Sequence, residues 1–162
     1  MTAQQRVKDV FEKLGIQYEL VEHPPLFTCD DDAKYGLVFN GVVFKNLFLR
    51  NHNKSVYYLV SMPQEKRTDL KQIQECLGEK RLSFGSEEAL LDKLNITAGT
   101  VSILNIIGSP ETDVIFVIDK DALKCEKVGF HPNVNTETIL FAPQYIEKIM
   151  NMYQVEYRFD IL

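Results

Sequence analysis

Val42-Val43-Phe44-Lys45-Asn46-Leu47-Phe48-Leu49 is the stretch that decides the fold class. It is rich in β-branched and aromatic residues, follows the turn signal Asn40-Gly41, and reads as a strong strand. Asn51 to Lys54 is a polar hairpin loop, and Val56 to Val60 returns as the partner strand. Side chains alternate between the faces of a strand, so Lys45 shares one face with Val43, Leu47 and Leu49. Asn46 shares the other with Val42, Phe44 and Phe48. Both faces are largely apolar and each carries one polar group.

Further strands are expected at Ile16 to Val21, Arg81 to Phe84, Val114 to Ile118, Glu126 to Phe130 and Thr136 to Phe141. The apolar run Val101 to Ile107 is expected to be extended. Helices are expected after the capping box Thr2 to Gln5, from Thr68 or Asp69, from Ser86, and from Pro143, with a short one near Asp30 to Asp32. Hairpins are as prominent as crossovers, which favours a mixed or antiparallel sheet in an α/β domain over a doubly wound one.

The chain has 162 residues, which suits a single domain over 1–162, and it is 45% hydrophobic and 25% charged. Its start lacks the apolar core of a signal peptide, and no apolar run is long enough for a membrane helix. The expectation is therefore a cytoplasmic protein with no membrane partner. Cys29, Cys76 and Cys125 are odd in number and far apart, which argues against a disulfide framework. His23, His52 and His131 form no metal-binding motif, so no metal and no cofactor are expected. A net charge of −5 argues against non-specific coating of nucleic acid, and no DNA partner is expected. It leaves room for recognition of an exposed RNA end, where few phosphates are touched. Lys66-Arg67 and Lys80-Arg81 could supply those contacts, or could be solvated surface charge.

Burying an unpaired ammonium is costly, so Lys45 needs a carboxylate, a bound ligand, or open water at a cleft. An internal ion pair, or a packed stem with its head in solvent, satisfies the pattern as well as a binding site does. His131, before Pro132 and between two strands, is either a loop histidine bonded to backbone or a site residue. Gly129 and Asn133 to Thr136 could bring N–H groups to a ligand carbonyl, as an ordinary turn also would. No G-x-S-x-G, phosphate loop or dinucleotide fingerprint is present. Cys29 precedes three aspartates, which would raise a thiol pKa. An enzyme built from this sequence relies on positioning and hydrogen bonding more than on covalent catalysis.

Four segments, taken in order, resemble the YbaK/ProX family of aminoacyl-tRNA deacylases, free-standing relatives of the editing domain of bacterial prolyl-tRNA synthetase. They are His23 to Thr28, Lys45 to Arg50, Lys80 to Phe84 and Phe130 to Thr136, and the resemblance spans nearly the whole chain. It is closest to the ProX-type branch, which acts on tRNA for proline carrying alanine. The resemblance implies a mixed, mostly antiparallel, partly barrel-like sheet flanked by helices. It implies that Lys45 places the aminoacyl ester and the terminal adenosine, with Asn46 beside it in the motif. It implies that Gly129 and His131 line the pocket, that Thr136 closes their loop, and that Arg81 is a basic position near the tRNA end. Mischarged tRNA is the implied partner, with prolyl-tRNA synthetase as a candidate second one. The family is thought to use the neighbouring ribose hydroxyl, which fits the missing nucleophile.

One stretch departs from the family pattern. Members carry Pro-Phe-Gly or Pro-Leu-Gly after a Gly-x-Val-Ser/Thr stretch, whereas here Gly99-Thr100-Val101-Ser102 is followed by Ile103-Leu104-Asn105. The segment, with Ser102 as a substrate-binding candidate, is expected to line the amino-acid pocket without touching the Lys45 or His131 segments. The main expectation is hydrolysis of Ala-tRNA(Pro). The alternatives are the same chemistry on cysteinyl or seryl esters, a non-catalytic binder of tRNA ends or aminoacyl nucleotides, and a synthetase-docking domain.

Overall fold

A computed structural model of the chain describes residues 1–25, 34 and 36–162. Cys29, the expected short helix at Asp30 to Asp32 and most of the segment after Pro25 lie outside the described residues.

The strand read first, β2 (Val42–Asn51), is the branch point of the sheet. One edge pairs antiparallel with β3 (Tyr57–Pro63), from Phe44 opposite Pro63 to Arg50 opposite Tyr57. Asn51 closes the hairpin, its Oδ1 accepting from the N–H groups of Ser55 and Val56 at 2.9 and 3.1 Å. β4 (Leu82–Phe84) runs antiparallel along Leu49 to Asn51. β3 pairs parallel with β5 (Ile115–Asp119), and β5 pairs parallel with β8 (Tyr157–Asp160). Near the start of β2, β6 (Val128–Phe130) pairs parallel at Val42 and Val43. β6 continues antiparallel to β7 (Glu137–Phe141), and β7 to β1 (Tyr18–Glu22). The order β1-β7-β6-β2-β3-β5-β8, with β4 off this path on β2, makes an eight-stranded sheet, mixed as the sequence led us to expect.

The two faces of β2 enter different cores. Phe44 and Phe48 join the larger one with Leu59, Phe116, Phe130, Ile139 and Phe141. Helices α1 (Ala3–Lys13), α3 (Glu87–Leu94) and α4 (Gln144–Met152) contribute Val7, Phe11, Leu90, Leu94, Ile146 and Ile149 to it. Full burial of each such side chain stabilises by about 1.5–3 kcal/mol. Phe44 and Phe130 pack with ring centroids 5.3 Å apart, joining β2 to β6 from this side. Leu49, Tyr58, Val60, Met62 and Val117 form the smaller core with Ile73 of α2 (Leu70–Leu77). Capping is local: Thr2 and Gln5 form the box of α1, Asp69 caps α2 and Ser86 caps α3. Among the described residues, no helix is long and apolar enough to cross a membrane.

Two expectations are corrected. Val101 to Ile107 is not an extended strand; Ile103–Ile107 is a 3-10 helix. The Ser102 hydroxyl accepts from Leu104 N–H at 3.1 Å and Asn105 Oδ1 accepts from Ser102 N–H at 2.7 Å, which closes a turn that an apolar run alone does not reveal. The chain also does not finish on a helix, because β8 follows α4 and forms one end of the sheet.

Candidate active site

Lys45 projects from β2 opposite Met62, on the face away from the larger core. Its stem is partly buried and its ammonium donates to the main-chain carbonyl of Lys66. The sequence pointed to a carboxylate, a ligand or open water; the partner is instead a backbone dipole, which orients the ammonium without neutralising it. An ammonium has three N–H donors, so this bond leaves two for a ligand.

The carboxylates nearby are held by another lysine. Lys66 Nζ lies 2.8 Å from Asp119 Oδ2 and 3.3 Å from Asp121 Oδ2. Burial pulls the Lys66 pKa down, but the bonds to Asp119 and Asp121 outweigh it and hold the group above its ordinary value. The same contact holds the Asp121 carboxyl below its ordinary value.

Strand register relates Gly129 and His131 to the strand that carries Lys45. In the parallel pairing of β2 and β6, Val43 stands beside Gly129, and strand pairing stops there. Lys45 and His131 each lie two residues further on, and continued alternation would put both on the face of Val43 and Gly129. The strands then diverge, β2 towards β4 and β6 into the loop His131 to Thr136. We take the space beyond these carboxyl ends as the candidate crevice, by analogy with open α/β sheets, where ligands bind at such ends. Gly129 is tightly enclosed on this face: a Cβ would stand 3.3 Å from Leu140 Cδ2, 3.3 Å from Thr138 Cγ2 and 3.4 Å from Val43 Cγ2.

His131 Nδ1 lies 2.9 Å from the carbonyl of Glu137. A carbonyl only accepts, so Nδ1 donates this bond and carries a proton. A second histidine, to which the sequence gave no role, belongs to the same face. His23 Nε2 accepts from the Thr138 hydroxyl at 2.8 Å, its Nδ1 donates to the Pro24 carbonyl at 2.9 Å, and its ring centroid is 5.9 Å from that of His131. The His23 N–H also donates to the Thr136 carbonyl at 2.9 Å, so Thr136 is tied to this cluster through its main chain.

The remaining candidates stand elsewhere. Asn46 faces the larger core, where it accepts from the Ser61 hydroxyl and donates to the Phe44 carbonyl at 3.4 Å. Ser102 is fully buried and caps the 3-10 helix. Arg81 is exposed beside the far end of β2, where Leu82 pairs with Asn51. That end lies six residue steps along β2 from Lys45, a distance of about 20 Å.

The departing segment does touch the His131 loop, contrary to expectation. Asn105 Nδ2 donates to Asn133 Oδ1 at 2.7 Å and to the Thr100 carbonyl at 3.0 Å. Asn133 has φ 64°, a left-handed conformation that asparagine tolerates and that this bond helps hold. A cavity of about 260 Å3 borders the contact, lined by Leu94, Ile96, Thr100, Asn105, Gly108 and Asn133 among others.

Among the described residues, no cluster of three His, Cys, Asp or Glu side chains is placed to hold a metal ion. Burial, then the charges of Asp121 and Asp119, push the Cys125 thiol above its ordinary pKa, which makes it a poor thiolate nucleophile. The chemistry available around Lys45 and the His131 loop is thus a fixed cation, an imidazole anchored through Nδ1 and the main chain around Gly129.

A sequence model of the aminoacyl-tRNA editing domain matches residues 23–149. The chain is 34% identical over 150 residues to the prolyl-tRNA editing protein ProX of Acetoanaerobium sticklandii, covering 93% of this chain and 92% of that protein. It is also 34% identical to prolyl-tRNA synthetase associated domain-containing protein 1 of Mus musculus, over 81% of this chain and 79% of that one. Among solved structures, the hypothetical protein APE2540 superposes with a TM-score of 0.70 at 17% identity, over 96% of this chain and 98% of the other, a likeness of fold alone.

Proposed function

This chain belongs to the aminoacyl-tRNA editing domain family, and from that premise we propose that it removes alanine from mischarged tRNA for proline. Editing of mischarged tRNA by ester hydrolysis is the activity of the family. The identity of the tRNA is supported by the 34% identity to a protein named for prolyl-tRNA editing, and alanine by the resemblance of the sequence to the ProX-type branch.

The observation that supports the mechanism is the Lys45 ammonium held by a carbonyl and not by a carboxylate, on the strand whose Val43 pairs with Gly129, two residues before His131. The aminoacyl ester enters this crevice with its carbonyl oxygen towards Lys45. Water adds to the carbonyl carbon, and the remaining Lys45 donors stabilise the negative charge that grows on oxygen. The neighbouring ribose hydroxyl, held beside the ester, hydrogen-bonds the attacking water and supplies proximity. The C–O ester bond breaks, the proton from water reaches the departing ribose oxygen, and free alanine and tRNA are released. His131, its Nδ1 tied to the Glu137 carbonyl, helps to position the ester at the edge of the crevice. Lys45 acts by charge and position, and forms no bond to the substrate.

Selectivity follows from size. A synthetase pocket shaped for proline cannot strongly reject alanine, since each missing methylene is worth only about 1–3 kcal/mol. A second pocket too small for proline closes that gap. The test is a panel of alanyl, cysteinyl, seryl and prolyl esters of tRNA(Pro). Loss of the alanyl ester with survival of the prolyl ester supports the reading. Equal loss of both refutes the sieve. Faster loss of cysteinyl or seryl ester reassigns the amino acid, and binding without hydrolysis of any ester replaces the enzyme with a binder.

A further inference from the structure

We propose that Lys66, Asp119 and Asp121 are positioning residues that aim the Lys45 ammonium at the substrate and preserve its charge. The inference rests on Lys45 being the group that meets the ester. Lys66 is engaged at both ends. Its main-chain carbonyl accepts from Lys45 Nζ, and its own ammonium lies 2.8 Å from Asp119 Oδ2 and 3.3 Å from Asp121 Oδ2.

Both ends are anchored to the sheet. Asp119 is the last residue of β5, with its side chain 1% exposed, and β5 pairs with β3 up to Ser61 opposite Ile118. Asp119 Oδ1 accepts from Asp121 N–H at 2.9 Å, which brings the second carboxylate alongside. The turn after β3 fixes the carbonyl: Lys66 N–H donates to the Pro63 carbonyl at 3.0 Å, and Gln64 N–H to the Val43 carbonyl at 2.9 Å.

Two consequences follow. With one N–H directed at a fixed carbonyl, the ammonium rotor presents its other two N–H groups in a set direction. With Asp119 and Asp121 occupied by Lys66, neither carboxylate is left to pair with Lys45, so the full charge remains for the substrate.

The experiment compares wild type, Lys66→Met, Lys66→Arg and the double variant Lys66→Met with Asp119→Asn. One readout is the 15N signal of the Lys45 ammonium, assigned by its loss in Lys45→Arg. The others are the melting temperature and the kcat and KM of ester hydrolysis. Lys66→Met is expected to remove the protection of the Lys45 ammonium from water exchange. It should lower kcat about a hundredfold with little change in KM, since a misplacement near 1 Å is enough for that. Lys66→Arg, which keeps both ion pairs, recovers most of the loss. The double variant no longer leaves an ionised Asp119 buried and unpaired, so melting recovers while kcat stays low. Recovery of kcat together with melting would overturn the proposal, since the ion pairs would then serve stability alone. An unchanged Lys45 signal in folded Lys66→Met would overturn it too. If wild type hydrolyses no ester, the functional reading fails, and the ammonium signal still decides the network.

Discussion

Replacing Asn105 with alanine tests the link between the departing segment and the His131 loop. The side chain is fully buried, and three hydrogen bonds are lost with it. Ser102 is also fully buried, so its N–H is left without a partner, at a cost of about 1–3 kcal/mol. Thr100 and Asn133 are only partly buried and turn to water, so each loses an ordinary hydrogen bond worth about 0.5–1.5 kcal/mol. The total is about 2–6 kcal/mol. In urea unfolding, with a slope of about 1–3 kcal/mol per molar, the midpoint should fall by roughly 1 M or more at unchanged slope. Hydrolysis should fall in the same variant under conditions where it stays folded, because Asn133 is released from its left-handed conformation in the loop that carries His131. A stability change under about 0.5 kcal/mol, the range of an ordinary surface substitution, would refute this reasoning.

Gly129→Ala places a Cβ 3.3 Å from Leu140 Cδ2 and from Thr138 Cγ2, and overpacking of this kind costs about 1–3 kcal/mol. A thermal melt should show the loss, together with slower hydrolysis as the Val43 side of the crevice is pushed open. Tyr58 has its pKa pushed from 10.0 up to about 12, first by burial and then by its hydrogen bond to Glu79, 2.7 Å long. A raised pKa means the folded state holds the proton more tightly, so this contribution to stability is whole below pH 10 and is lost as pH rises towards 12. Tyr58→Phe should therefore flatten the fall in stability between those pH values, measured by urea unfolding across an alkaline series.

The parts legible in the sequence are those set by local rules. Period-2 alternation placed Lys45 and Asn46 on opposite faces of β2, as found. The caps Thr2, Asp69 and Ser86 were readable because each bonds within three residues. The 3-10 helix at Ile103–Ile107 was not, because an apolar run fits a buried strand as well as a buried turn. Long-range partners leave no local mark. His23 meets Thr138 across 115 residues of chain, and the carbonyl that holds Lys45 belongs to a residue read as an RNA contact or as surface charge. Asn46 shows that adjacency within a motif is not adjacency in a site: it follows Lys45 in sequence yet bonds Ser61 in the opposite core.

The central claim is that the Lys45 ammonium performs the stabilising work in the crevice between β2 and β6. The direct test is single-turnover loss of radiolabelled alanine from Ala-tRNA(Pro) by wild type and Lys45→Ala, with melting curves of both. The account predicts a drop on the order of 100- to 1,000-fold or more with the fold retained, the scale seen when one oxyanion donor is removed. Equal turnover by a folded Lys45→Ala protein would contradict it.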